Sequence, residues 1–404
     1  MRVAVWLDKD YKPEIGGGFT YYDKLVKAID TYQFDSSLDI CFVSDKTNDT
    51  KYFSRSLILL NYQLTKKNFF KKILMKLLIR GRRVSKKILL IYEREKNKNY
   101  IKILRESSID LIYYIRQNEC DIFDFPFIAT NWDIGHCSTF SFPELIGNKD
   151  FFVRNDFYSR ILPTSLMIFV ESHAGKKELI KYTNVNENRI KVVPLFAGNC
   201  VNIYVDKQQQ KVILNKYKLE YQRFFFYPAQ FWAHKNHSII LHAFAKFINE
   251  HPNFKMVFTG SDQGNLSYMK KLAAKLQIEN SVLFLGFVPL EEINSFYCNA
   301  NSLIMASYLG PTNMPPIEAM ELGCPVICSD LEGHREMMDK SAIYFNPMSA
   351  DELYTAMSKM VKNNNYYKKK IKARNKISKF KIEYTMTKMN EYLKELSIIR
   401  ECWE

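Results

Sequence analysis

Glu318 lies near the start of an expected helix in the stretch SLIMASYLGPTNMPPIEAMELGCPVICSDLEGHRE, residues 302 to 336. A helix start presents free amide groups and the positive end of the helix dipole, which suits a phosphate or diphosphate. A carboxylate in a first turn repels phosphate but accepts hydrogen bonds from paired hydroxyls, so a ribose is a sensible partner for it. The same charge could do no more than complement the helix dipole. Local pattern leaves both readings open.

The elements that must position this carboxylate can be read around it. Leu303 to Ala306 is an apolar run of strand length. Gly310, Pro311 and the Pro315-Pro316 pair make a loop, and Pro316 to Leu322 reads as a helix that Gly323 stops. Pro325 to Cys328 follows as a second short apolar strand. Strand, loop, helix, strand is the grammar of a parallel sheet, with the loop at the carboxyl edge where such sheets bind ligands.

The segment PPIEAMELGCPVICSDLEGHRE resembles the signature of the retaining glycosyltransferases of two Rossmann-like domains, the family called glycosyltransferases group 1. That family usually carries two glutamates seven residues apart, and its second matches Glu318. The first falls on Gly310, and the usual Gly-Phe-Gly-Leu-Pro loop is replaced by Pro311, Thr312, Asn313, Met314 and Pro315. The resemblance implies an α/β fold of two doubly wound domains facing a cleft (GT-B). It also implies a nucleotide-diphosphate sugar as donor substrate, no cofactor, and donor contacts at Gly310, Thr312, Asn313 and Met314.

Earlier segments extend the likeness. MRVAVWL reads as a buried strand, followed by Gly16, Gly17 and Gly18 leading into a helix from about Phe19 to Ile29. Such a glycine run lets backbone approach a ligand; by resemblance, Gly17 and Gly18 face the donor diphosphate and acceptor. ATNWDIGHCSTFSFPEL is similar to the family's Asp-containing loop ahead of a Pro-Glu pair, here Asp133 with Pro143 and Glu144. Its usual histidine before the aspartate is Trp132, so His136 is the available imidazole, either bonding a sugar hydroxyl or serving as an ordinary loop histidine. YPAQFWAHKNH offers Lys235 on a loop after a strand, where an ammonium can neutralise a leaving diphosphate. The family's arginine five residues earlier is Gln230. By resemblance, Gly286, Phe287 and Val288 hold the nucleotide base through backbone groups.

The 404 residues suffice for two or three domains, and 47% apolar with 25% charged residues is the composition of a soluble globular protein. The 14% aromatic share fits sugar stacking or a Phe- and Tyr-rich core equally. No apolar run approaches the roughly 18 residues needed to span a bilayer, and Asp8 and Asp10 interrupt the first apolar segment too early for a signal peptide. A cytosolic protein is expected. Eight scattered cysteines without a Cys-x-x-Cys pair suit free buried thiols. Asp8-Lys9-Asp10 reads as a solvated turn, and no metal site is expected.

The formal charge of +15 is concentrated. Between Lys66 and Arg105 there are 15 Lys or Arg against two acids, an excess of +13. Phe70, Ile73, Leu74, Leu77 and Leu78 repeat there at helical spacing, so a basic amphipathic helix that lies on an anionic membrane is expected, the alternative being a surface helix with a solvated basic face. The expected order is a first domain over 1–200 with this insertion at about 65–105, a polar linker over 201–222, a nucleotide-sugar domain over 223–385, and a helix over 386–404 that crosses back.

Together these readings predict a metal-independent retaining transferase that moves a sugar to a glycan or lipid-linked acceptor in bacterial surface polysaccharide synthesis, peripheral on the inner membrane face. Gly310 and Gln230 motivate an alternative, a catalytically silent nucleotide- or glycan-binding protein of the same fold. A membrane-surface binder is another. Nucleic acid is a poor partner, because the basic segment carries an aliphatic stripe rather than interleaved stacking aromatics.

Overall fold

A computed structural model of the chain describes residues 1–8, 16–45, 53–60, 97–117, 120, 122–139 and 141–403. The expected basic amphipathic helix, and Lys9 and Asp10, lie outside the described residues.

The first sheet has seven strands: β1 (Arg2–Trp6), β2 (Asp39–Ser44), β3 (Leu57–Leu59), β4 (Leu111–Tyr114), β5 (Phe127–Asn131), β6 (Met167–Val170) and β7 (Ile190–Val192). Their order is β3-β2-β1-β4-β5-β6-β7. The second has six: β8 (Phe224–Pro228), β9 (Lys255–Thr259), β10 (Val282–Phe284), β11 (Ser302–Met305), β12 (Val326–Ser329) and β13 (Ile343–Phe345). Its order is β10-β9-β8-β11-β12-β13. Neighbouring strands pair in parallel, as β1 does with both β2 and β4, and β8 with both β9 and β11. Each sheet therefore reverses its winding beside its first strand, which opens a crevice at the carboxyl edge.

Both faces of these strands are covered, which is why they read as apolar runs rather than alternations. Consecutive residues serve opposite faces: Val5 joins a large apolar cluster with Leu25, Phe169, Phe226 and Leu303, while Trp6 joins a second one with Tyr114 and Phe127. The large cluster runs through both domains.

Six helices matter for the site. They are α1 (Gly17–Thr31), α2 (His173–Tyr182), α3 (Lys207–Lys216), α4 (Met314–Glu321), α5 (Glu332–Met338) and α6 (Ile382–Arg400). The stretch expected as a polar linker contains α3, begun by a reciprocal cap in which Asp206 accepts from the Gln209 amide and Gln209 reaches back to Asp206. The last helix begins at Ile382, before the expected 386. It packs on the first domain, with Thr385 Oγ1 donating to the Pro194 carbonyl at 2.6 Å and Arg400 Nε meeting Asp110 at 2.8 Å. Among the described residues no helix is long and apolar enough to cross a membrane.

Candidate functional site

The carboxyl edges of the two sheets face a cavity of about 490 Å³ between the domains. From the first domain it is lined by the Gly16–Gly18 turn, Trp132, Asp133, Glu171 and Cys200; from the second by Gln230, Lys235, the 286–288 turn, the 309–315 loop and Glu318. Thirteen of the fourteen site residues picked from sequence thus border one space. His136 does not.

Lys235 is placed by a short turn. After β8 the chain makes one 3-10 turn, Ala233–Lys235, and leaves it through Asn236 in the left-handed conformation (φ 59°, ψ 39°), where asparagine is tolerated better than most residues. The buried Tyr227 hydroxyl donates to the Lys235 carbonyl at 2.8 Å and fixes the backbone. The ammonium then reaches Asn313 Oδ1 at 3.1 Å. Burial lowers its pKa to about 8, with the Asp133 carboxylate pulling the other way.

The partner amide is itself oriented. His334 Nδ1 lies 2.8 Å from the Ser329 carbonyl, which can only accept, so Nδ1 carries the proton and Nε2 is left as an acceptor. Asn313 Nδ2 therefore donates to Nε2 at 3.1 Å, and its Oδ1 must face Lys235. Burial depresses the His334 pKa to about 4 against the opposing bond to the Ser329 carbonyl, so the ring stays neutral and the relay keeps its sense. This histidine sits in the GHRE tail of the signature stretch, and its role depends on a contact 21 residues away along the chain.

Asn313 is also the residue from which α4 starts. The helix begins at Met314, two residues before the expected Pro316, so Glu318 falls in the second turn rather than the first. It is buried, and its Oε2 accepts from the Tyr297 hydroxyl at 2.7 Å. Burial raises its pKa, against the pull of Tyr297, Cys200, the Gly198 backbone and Lys24. A carboxyl so enclosed is not a surface complement to a helix dipole. Gly198 packs close beside it: a Cβ there would stand 2.3 Å from Glu318 Oε1 and 2.9 Å from Met314 Sδ and would push both side chains aside. Glu318→Ala is expected to weaken nucleoside diphosphate binding about tenfold or more, as loss of a hydrogen-bonded charged partner does. Titration calorimetry reads this directly, and unaltered affinity would leave Glu318 as packing only.

One expected contact is corrected. His136 is fully buried, packed against the Tyr158 and Phe151 rings at 5.0 and 5.8 Å, and among the described residues neither ring nitrogen has a hydrogen-bond partner. Burial, then Arg154, push its pKa down to about 4. It cannot reach a ligand in the cavity; it is a neutral core imidazole. Gln230 borders the cavity but its side chain is engaged, donating to Ser261 Oγ at 3.2 Å and accepting from Trp232 Nε1 at 3.1 Å.

Asp133 has a partner that local pattern did not suggest. Its Oδ1 accepts from Gly135 N and Arg154 Nη2, each at 2.7 Å. Burial works to raise the carboxyl, but the Arg154 guanidinium and the Gly135 amide outweigh it and hold it below the usual range. Gly286 turns the chain at φ 68°, its carbonyl taken by the Gly260 amide at 2.7 Å, and Phe287 stands 73% exposed at the rim.

The domains meet along one side of the cavity. Ser172, the cap of α2, donates to the Pro311 carbonyl at 3.1 Å. Thr312 Oγ1 donates to Glu171, and Glu336 of α5 accepts from the first two amides of α2, His173 and Ala174, both at 2.9 Å. Glu144 takes the His234 amide at 2.9 Å and its ring at 2.7 Å. Burial and then Lys235 depress His234, while its amide holds Glu144 low. Glu171 was missed because it follows an apolar strand and reads as the start of a helix. Among the described residues no group of three or more His, Cys, Asp or Glu side chains could hold a metal ion.

Two parallel-sheet Rossmann-like domains with a cleft at their carboxyl edges define the GT-B architecture. The Anabaena protein HepE, solved with UDP-glucose, superposes with a TM-score of 0.69 over 98% of this chain and 100% of that one, at 15% identity. Residues 208–379 match the family described as Glycosyl transferases group 1. Among curated proteins, the chain is 27% identical over 203 residues to the O-antigen chain mannosyltransferase RfbU of Salmonella typhimurium, covering 49% of this chain and 53% of the relative. It is 23% identical over 195 residues to the O-antigen chain mannosyltransferase B of Escherichia coli, covering 48% and 50%. The chain spans about half the length of these curated relatives.

Proposed function

We propose that the protein is a retaining glycosyltransferase that moves a sugar from a nucleotide-diphosphate donor to a glycan or lipid-linked acceptor, without a metal ion, in the synthesis of a bacterial surface polysaccharide. The observation that carries this reading is the Lys235–Asn313 pair at the start of α4, with Glu318 one turn further on, in a single interdomain cavity.

The chemistry follows from those groups. The bond from the anomeric carbon to the terminal phosphate oxygen breaks with oxocarbenium character in the sugar, and negative charge grows on the departing diphosphate. Lys235 and the amides that open α4 stabilise that charge as it develops, which is the term that lowers a barrier, while the Asn313 side chain holds the ammonium in place. The acceptor hydroxyl forms the new bond from the same face, and its proton passes to an oxygen of the leaving phosphate. The ribose hydroxyls fall to Glu318. The name of the HepE complex and the mannosyltransferase names of the curated relatives support a nucleotide-sugar donor and a surface-glycan acceptor. The basic segment between Lys66 and Arg105 would bring an anionic membrane, and a lipid-linked acceptor in it, to the first domain.

The test is turnover. Incubation with UDP-glucose and GDP-mannose in turn, with lipid-linked glycan from bacterial membranes as acceptor, should release nucleoside diphosphate and give a product whose anomeric configuration by NMR equals the donor's. Inversion would overturn the retaining mechanism. Binding of a nucleoside diphosphate with no transfer would favour the catalytically silent reading, which Gly310 and the engaged Gln230 side chain motivate.

A further inference from the structure

Glu171 is a cavity carboxyl to which the chemistry above gives no task. It follows β6 in the first domain, directly before the Ser172 cap of α2. Its side chain is 7% exposed and borders the cavity. One carboxyl oxygen, Oε2, accepts from the Thr312 hydroxyl across the domain boundary, and its backbone carbonyl accepts from Leu195 N at 3.2 Å. Among the described residues Oε1 has no hydrogen-bond partner, and Glu171 lines the cavity. Oε1 is the carboxyl oxygen free to take a further hydrogen bond.

Burial raises the pKa of this carboxyl to about 8; the Thr312 hydroxyl opposes the shift and the Asp133 carboxylate adds to it. At neutral pH the group is a carboxylic acid, with an O–H to donate and an oxygen to accept. That pairing matches an alcohol, which also does both. It matches a phosphate badly, and the phosphate anchor is already assigned: Thr312 is the residue next to Asn313, which holds Lys235. The ribose side is assigned as well, to Glu318. What remains of a donor on the Thr312 side is the sugar beyond the terminal phosphate.

The second domain has little to offer that sugar there. Gly310 adopts φ 127°, a conformation strained for any side chain, and a Cβ would stand 2.5 Å from Asn313 Nδ2 and from the Thr312 carbonyl. Gly310 itself brings no side chain to this side, which leaves room for polar recognition from the facing domain. We propose that Glu171 hydrogen-bonds a hydroxyl of the transferred sugar from across the cleft and so helps determine which sugar is accepted. This inference rests on the donor reading of the cavity.

Titration calorimetry with UDP, GDP, UDP-glucose and GDP-mannose separates the possibilities. Wild-type protein identifies the nucleotide and sugar that bind. For that pair, Glu171→Ala is expected to leave nucleoside diphosphate affinity within about twofold and to weaken the nucleotide sugar at least tenfold. Glu171→Gln, which keeps a neutral donor and acceptor in the same shape, should recover most of the loss. Thr312→Val, which removes the cross-domain bond, should not reproduce the selective loss. Equal weakening of nucleotide and nucleotide sugar in Glu171→Ala, or a Thr312→Val profile identical to it, would show a domain latch and overturn the proposal. If Glu171→Ala unfolds, the Gln variant decides: it must discriminate sugar-bearing from bare nucleotide as wild type does. Wild type that binds bare nucleotide but none of its sugars overturns the sugar contact alone; wild type that binds none of the four overturns the donor reading itself.

Discussion

Lys235→Ala is expected to lower turnover by at least about a hundredfold, the cost of losing one fixed donor aimed at developing charge. The lysine is held at both ends, its carbonyl by Tyr227 and its ammonium by Asn313, whose amide is in turn set by the neutral ring of His334. Little reorganisation is needed when the diphosphate leaves, so the loss should fall on kcat more than on KM. Steady-state kinetics at saturating donor tests this; turnover within about threefold of wild type would remove the lysine from the mechanism. The same group sets a pH dependence. Its pKa in the free protein is lowered to about 8, and a bound diphosphate raises it. Affinity for a nucleoside diphosphate should therefore be level below pH 8 and fall above it, since binding must then take up a proton. Glu171 loses its proton in the same range and adds to the fall, because an ionised carboxyl beside the cavity repels phosphate. Lys235→Met should reduce the slope.

Gly333→Ala should be nearly as damaging although it touches no ligand. A Cβ at this position of α5 would stand 1.8 Å from the Pro311 carbonyl oxygen and 2.4 Å from its carbon. Both are backbone atoms, so neither can swing aside. Relief requires the 310–313 loop to move off α5, carrying Thr312 away from Glu171 and Asn313 away from Lys235. A misplacement of about 1 Å in such groups can cost roughly a hundredfold in rate. The expected result is a kcat/KM about a hundredfold down, with the far-ultraviolet circular dichroism of wild type. Wild-type kinetics would mean that the loop relaxes without disturbing its polar contacts.

The signature stretch around Glu318 was legible because each of its boundaries is chemical: apolar runs mark β11 and β12, and glycine and proline mark the loop between them. The strands are displaced from their expected limits by one residue, and α4 starts two residues early, because Asn313 rather than Pro316 begins the helix. What escaped is the set of contacts made across the cleft. Thr312 and Glu171 are 141 residues apart, and Asp133, in the loop after β5, lies 21 residues before Arg154 on a later helix, so no periodicity links them. His136 shows the converse error. Its polar type and place after Asp133 suggested a ligand contact, but the turn Gly135–Ser138 points the ring inward among Tyr158 and Phe151.

The cap that Glu336 places on α2 ties movement of the two lobes to a local event. Drawing them apart strips a helix terminus of its acceptor and a carboxylate of its donors in one motion, and solvent water takes the place of each. On the proposed reading, a nucleotide leaving through that side must wait for this pair to part, so its release rather than bond making can limit turnover.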